Sequence, residues 1–175
     1  GKKIIEGFWK TNLITYPQDI FKLNYNKIEI LEGWGKTSVE NLKYSINQKK
    51  NISLERFIYA LGIRHIGLEN AKLLSRHFIY FSNFMNLSKE KKFEELLNID
   101  GIGETQVNSI KTFFQNNTNI NILIELEKVL IIKKAEIQKK DGKLKGKSFL
   151  VTGKLNGISR AELKSLIEDN SGITV

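Results

Sequence analysis

The chain has 175 residues, a formal net charge of +9 and an isoelectric point near 9.6. A hydrophobic fraction of 41% is enough for a packed core and excludes wholesale disorder, while no run approaches the roughly 18 to 20 apolar residues of a membrane span. The absence of cysteine excludes disulfides and thiolate zinc sites, and fits a reducing cytoplasm. The basic balance favours polyanionic partners. Only four of the 28 basic residues are Arg (Arg56, Arg64, Arg76, Arg160), however, and the abundance of Lys, Ile and Asn fits an AT-rich coding sequence equally well, so charge alone does not decide the partner. Gly1-Lys2-Lys3-Ile4-Ile5-Glu6 has neither the apolar run nor the cleavage site of a signal peptide, and the missing initiator Met reads as a chain that begins partway through a longer protein.

Glycine placement organises the rest, because Pro17 is the one proline. Gly1-Lys2-Lys3-Ile4-Ile5 reads as the tail of a repeat whose full form is Ile30-Leu31-Glu32-Gly33-Trp34-Gly35-Lys36-Thr37. After Gly35, Thr37 and Glu40 form a capping-box pattern, and Val39, Leu42 and Ile46 follow at helical spacing. Ser53 opens a second helical run, Leu54, Phe57, Ile58 and Leu61. It leads into Gly62-Ile63-Arg64-His65-Ile66-Gly67-Leu68-Glu69, where His65 stands in place of the first glycine, and then into Ala71, Leu73, Leu74 and Phe78. Ser88, further upstream, is expected to open the helix carrying Phe93, Leu96 and Leu97. Asn98-Ile99-Asp100-Gly101-Ile102-Gly103-Glu104-Thr105 is the third full copy, followed by Val107, Ile110, Phe113 and Phe114. The second glycines fall at 1, 35, 67 and 103, and each full unit reads helix, tight turn, helix. No strand alternation is evident before about residue 147. The expected organisation is an all-α domain of tandem helix-hairpin-helix units over 1–130, a Lys-rich linker over 131–146 and a truncated α/β segment over 147–175. That last segment combines an apolar strand, Ser148 to Gly153, with a helix opened by Ser159 and carrying Glu162, Leu163, Leu166 and Ile167.

A Gly-x-Gly turn brings backbone close to a ligand, and the following helix offers unpaired N–H groups at its positive end. Together these suit a phosphate oxygen, which positions a nucleic acid without reading its sequence. The candidate binding residues are Gly33, Gly35, Gly67, Gly101 and Gly103, with Lys36, Thr37 and Thr105 as side-chain supports. Arg64 and His65, at the tip of the second hairpin, are placed to reach further, toward a minor groove. The intervening Trp34, Ile66 and Ile102 are the residue types of core plugs rather than of base wedges. His65 and His77 have no Cys partners and fit no common zinc spacing, so no metal site and no catalytic residue is assigned.

Leu31 to Ser38, Leu54 to Gly67 and Ile99 to Gly103, in that order, resemble the C-terminal part of bacterial NAD-dependent DNA ligases, the stretch from Tyr59 to Gly67 most closely. The tail from Ser148 looks like the start of a BRCT domain, and Thr152 and Gly153 match that domain's phosphate-binding pattern. The resemblance implies a parent enzyme that seals nicks in duplex DNA with NAD as adenylate donor, and that uses Mg and Zn. This chain would be its DNA-gripping region, inactive alone and without cofactor, and the expected partner is nicked duplex DNA. The expected state is monomeric, in the bacterial cytoplasm and associated with the nucleoid. Two alternatives are a protein-interaction module whose hairpins are scaffold and whose BRCT-like tail recruits a partner, and the corresponding module of a repair nuclease.

Overall fold

The computed structural model describes residues 1–136, 142–153, 157–158 and 160–175. Two compact units emerge, Gly1–Ala135 and Glu136–Val175. The first begins with α1 (Lys2–Lys10), a 3-10 turn over Pro17–Lys22, α2 (Tyr25–Glu29) and α3 (Lys36–Gln48). It continues through β1 (Asn51–Ser53), α4 (Leu54–Ala60), α5 (Leu68–Phe78) and α6 (Phe81–Glu90). A second 3-10 turn over Phe93–Asn98 precedes α7 (Glu104–Gln115), α8 (Asn117–Val129) and β2 (Ile131–Lys133). Helix-turn-helix pairs thus dominate, as the glycine spacing implies. Among the described residues, no helix is long and apolar enough to cross a membrane.

The apolar stripes bury where their periodicity places them. Phe8, Ile14, Leu23, Ile28 and Val39 form one cluster, with Trp34, Leu42 and Ile46 against it. The larger cluster takes its residues from α4 to α8, and Leu54, Ile58, Leu74, Phe84, Ile110 and Leu123 are completely inaccessible in it. The turn over Pro17–Lys22 touches both clusters, with Ile20 packed on the first and Phe21 on the second. Lys22 also pairs with Glu125 of α8 at 3.0 Å. Hydrogen bonds from Lys128 and Lys22 hold the Glu125 carboxyl below the ordinary carboxylate range.

Local details depart from the sequence reading in three places. Thr37 does not cap α3. The helix already starts at Lys36, Gly35 occupies the cap position, and the Gly35 amide donates to Ser38 Oγ at 2.9 Å. Ser88 opens no helix either: it lies inside α6, where its hydroxyl donates to the Met85 carbonyl at 2.7 Å. The segment carrying Phe93 begins only after Lys91, whose φ of 55° ends α6. The third departure is a pair of strands well before residue 147. Asn51, Ile52 and Ser53 run parallel to Ile131, Ile132 and Lys133. Three residues are too few to show an alternation, and a parallel partner some 80 positions away leaves no local signal. β2 occupies part of the stretch read as a Lys-rich linker.

Capping of the short α2 is testable by itself. Asn24 Oδ1 accepts the Lys27 amide at 3.2 Å, and Asn24→Ala is expected to lower stability by about 1 kcal/mol in chemical denaturation.

The second unit is a β-α-β arrangement: β3 (Ser148–Phe149), α9 (Arg160–Asp169) and β4 (Ile173–Thr174), with the two strands parallel. The Ile173 amide donates to the Lys147 carbonyl and the Val175 amide to that of Phe149, each at 2.9 Å. Ile167 of α9 is buried. Ser159, Lys139 and Lys140 lie outside the described residues.

Candidate nucleic-acid interface

The three turns share one backbone pattern. The amides of Trp34, Ile66 and Ile102 donate to the carbonyls of Leu31, Ile63 and Ile99, each at 3.0 Å. The residue before each plug is left-handed, with φ of 79° at Gly33, 62° at His65 and 89° at Gly101. His65 therefore keeps the hairpin rather than breaking it. Histidine is among the side chains that enter this region more readily, at a cost of about 1–2 kcal/mol. Asn70 helps to hold it there, its side-chain amide donating to the His65 carbonyl at 3.0 Å. His65→Gly is accordingly expected to raise stability by up to about 1 kcal/mol, read as a higher thermal midpoint. An unchanged or lowered midpoint would contradict the strain assigned here.

The plugs are core residues. Ile66 and Ile102 are each only 5% exposed, and Trp34 is half-buried against Phe8, ring centroids 5.5 Å apart. The second glycines, Gly35, Gly67 and Gly103, are the cap residues of α3, α5 and α7, all in extended backbone. The amides of Gly35 and Gly103 donate within their own hairpins, to Ser38 Oγ at 2.9 Å and Gln106 Oε1 at 3.1 Å. Gly67 has no side-chain cap, since Asn70 at the equivalent position turns back to His65. In each helix the first-turn amides beyond the cap have no intrahelical acceptor and face outward at the positive end of the dipole.

A Cβ at Gly35 or Gly67 would meet no atom within 4 Å, and one at Gly103 would stand 3.4 Å from Gln106 Oε1. Neither conformation nor packing within the chain demands glycine at these three positions. Gly101 is different, because its φ is positive and a Cβ there would stand 2.8 Å from Leu73 Cδ1, which would have to shift, so structure within the chain already favours glycine.

Gly33, Gly35, Lys36, Thr37, Arg64, His65, Gly67, Gly101, Gly103 and Thr105 are all exposed. The fold brings Arg64, His65 and Thr105 together on a groove of about 540 Å³ between the second hairpin and α7. The first-hairpin residues do not line it. Asn108, Ser109, Thr112, Asn116 and Asn119 do, and the sequence reading passed over them. Their signal is a polar stripe opposite Val107, Ile110 and Phe114, which in sequence looks like any solvated helix face. No carboxylate lines the groove among the described residues, so the Arg64 charge is uncompensated there. In the second unit Thr152 and Gly153 are exposed, with φ of 81° at Gly153.

Residues 56–123 match the model of the helix-hairpin-helix motif. The chain is 67% identical over 172 residues, 98% of its length, to a DNA ligase of Pelagibacter ubique (strain HTCC1062). It is 43% identical over 180 residues to a DNA ligase of Rickettsia bellii (strain RML369-C), and 41% identical to one of Rickettsia canadensis (strain McKiel). It spans about a quarter of the length of these relatives, 25% of the first and 26% of the others. Part of the chain thus matches the helix-hairpin-helix motif, and nearly its whole length is similar to one region of these DNA ligases.

Proposed function

We propose that the chain binds nicked duplex DNA without sequence preference, through phosphate contacts at its hairpins, as the DNA-gripping region of an NAD-dependent DNA ligase acting in replication and repair. The observation that carries this reading is the glycine at positions 35, 67 and 103. The fold leaves room there for a side chain and adopts a backbone any residue could take, so the reason for glycine lies outside the chain. A bare backbone beside unpaired helix amides is the arrangement that lets a phosphate oxygen come close. Exposed Lys36, Thr37, Arg64 and Thr105 add donors around those amides. Gly33 and Gly101 shape the turns, and His65 does the same in the second.

The resemblance of the tail to a BRCT domain gives Thr152 and Gly153 a phosphate-binding role in the same reading. We assign none of the whole enzyme's chemistry to this chain. It has no cysteine for a thiolate zinc site. NAD would be bound and used by other segments. We further place the protein, as a monomer, in the cytoplasm with the nucleoid.

Fluorescence anisotropy with a labelled nicked duplex tests the reading. Affinity is expected to fall with salt at a logarithmic slope of about −2 or steeper, since each neutralised phosphate contributes about −0.9. Binding that ignores salt, or none at 50 mM salt, would turn the assignment toward a protein-interaction module with hairpins as scaffold. Mixing the chain with NAD is expected to yield no enzyme–AMP adduct by mass spectrometry, and an adduct would refute the division of labour proposed here.

A further inference from the structure

The polar groups of the groove between the second hairpin and α7 fall into two classes. Ser109 Oγ donates to the Thr105 carbonyl and Thr112 Oγ1 to that of Asn108, each at 2.9 Å, so both hydroxyl protons are committed to the helix. The second class keeps its donors. No described residue pairs with the Arg64 guanidinium, the Thr105 hydroxyl or the Asn108 side-chain amide. Asn116 accepts the Thr118 amide through Oδ1 at 2.9 Å, which leaves its NH₂ group unspent.

Thr105, Asn108 and Thr112 recur at intervals of three and four along α7, and Asn116, the residue that follows the helix, continues the same stripe. At 1.5 Å per residue the stripe is about 16 Å long, enough to follow several nucleotides of one strand. Neutral amide donors beside an uncompensated guanidinium, with no carboxylate in the lining, match a run of phosphodiester oxygens.

We propose that this stripe is a second binding element, built from side chains, that holds the sugar–phosphate backbone of one DNA strand through Arg64, Thr105 and the amides of Asn108 and Asn116. The proposal rests on the DNA-binding reading above but adds two residues that lie outside the hairpin turns, Asn108 and Asn116. Ser109 and Thr112 line the same groove and contribute nothing to it, because their protons are already used.

The experiment uses the full 175-residue chain and the same nicked duplex. Asn108→Asp and Asn116→Asp are isosteric and remove an NH₂ donor, and aspartate at 116 still caps α8. Each is expected to weaken binding about tenfold, the scale of one hydrogen bond to a charged group. Asn86→Asp, on the exposed surface of α6 and outside the groove, changes net charge equally and is expected to weaken binding far less. Thr112→Val, which removes a committed hydroxyl, is expected to leave affinity unchanged. Circular dichroism and thermal midpoints confirm that each variant folds, and an unfolded Asn116 variant leaves Asn108→Asp to decide. If Asn86→Asp costs as much as Asn108→Asp, or if Asn108→Asp binds normally, the stripe is no binding element. Should Gly35→Val with Gly103→Val abolish binding while the asparagine variants bind normally, the hairpin reading survives and this one falls. Failure of the unaltered chain to bind at low salt would overturn both.

Discussion

Valine at Gly35 and Gly103 together is expected to lower affinity for nicked duplex by about a hundredfold or more, while the protein remains folded. Both positions are extended and accept a Cβ, with open space at Gly35 and ordinary contact at Gly103. The structural cost is confined to the cap, where valine is a poorer choice than glycine by about 1 kcal/mol per site. The binding cost is larger. Each branched side chain stands where a phosphate must approach the first-turn amides, and losing one charge-assisted contact removes about 1.5–3 kcal/mol. Two lost contacts in separate hairpins should add, because the sites share no partner. The loss should be the same on unrelated duplex sequences, since main-chain contacts to phosphate read no bases. An unaltered binding curve for the folded double variant would remove hairpin backbone from the interface.

Phe84→Ala carries the largest expected effect on stability, about 3–5 kcal/mol. Phe84 is completely buried, and its ring meets Phe78 of α5 at 5.5 Å and Phe114 of α7 at 5.1 Å, both edge-on. The three rings join the output helices of the second and third hairpins through α6. Removing the middle one leaves a cavity that its neighbours cannot close without moving either helix. Against a typical total of about 5–15 kcal/mol, such a loss approaches or reaches the point of unfolding. Urea denaturation measures it, and Phe84→Leu, which keeps most of the volume, should cost about 1.5 kcal/mol or less. A loss below 1 kcal/mol for the alanine variant would mean that the ring chain is not the link between the two hairpins.

The hairpins were legible because each is local: the plug, the two turn positions and the first apolar residue of the next helix lie within about a dozen positions. Val39, Ala71 and Val107 therefore bury as their spacing from the turn dictates. Legibility failed where one residue type serves two purposes. Thr37 and Ser38 both carry a suitable hydroxyl, but Gly35 takes the cap position and Ser38, three residues on, is the one that accepts its amide. His65 looked like a defect because sequence shows that a glycine is missing, not that histidine holds the same φ with Asn70 beneath its carbonyl. The groove was invisible for a different reason. Asn108 and Asn116 acquire meaning only when Arg64, more than 40 positions earlier, is folded against them.

The pairing of Asn51–Ser53 with Ile131–Lys133 has a mechanical consequence. The chain enters and leaves the second and third hairpins side by side and heading the same way. A pull on the chain before residue 51 or after residue 133 therefore bears on that short ladder, together with the Lys22–Glu125 pair and the bond from the Ala135 amide to the Ile79 carbonyl. The separation of the two hairpin tips is set by the edge-on phenylalanine rings and the helices they join. The opening between the two tips is in that sense a fixed gauge, set by the core that the two hairpins share.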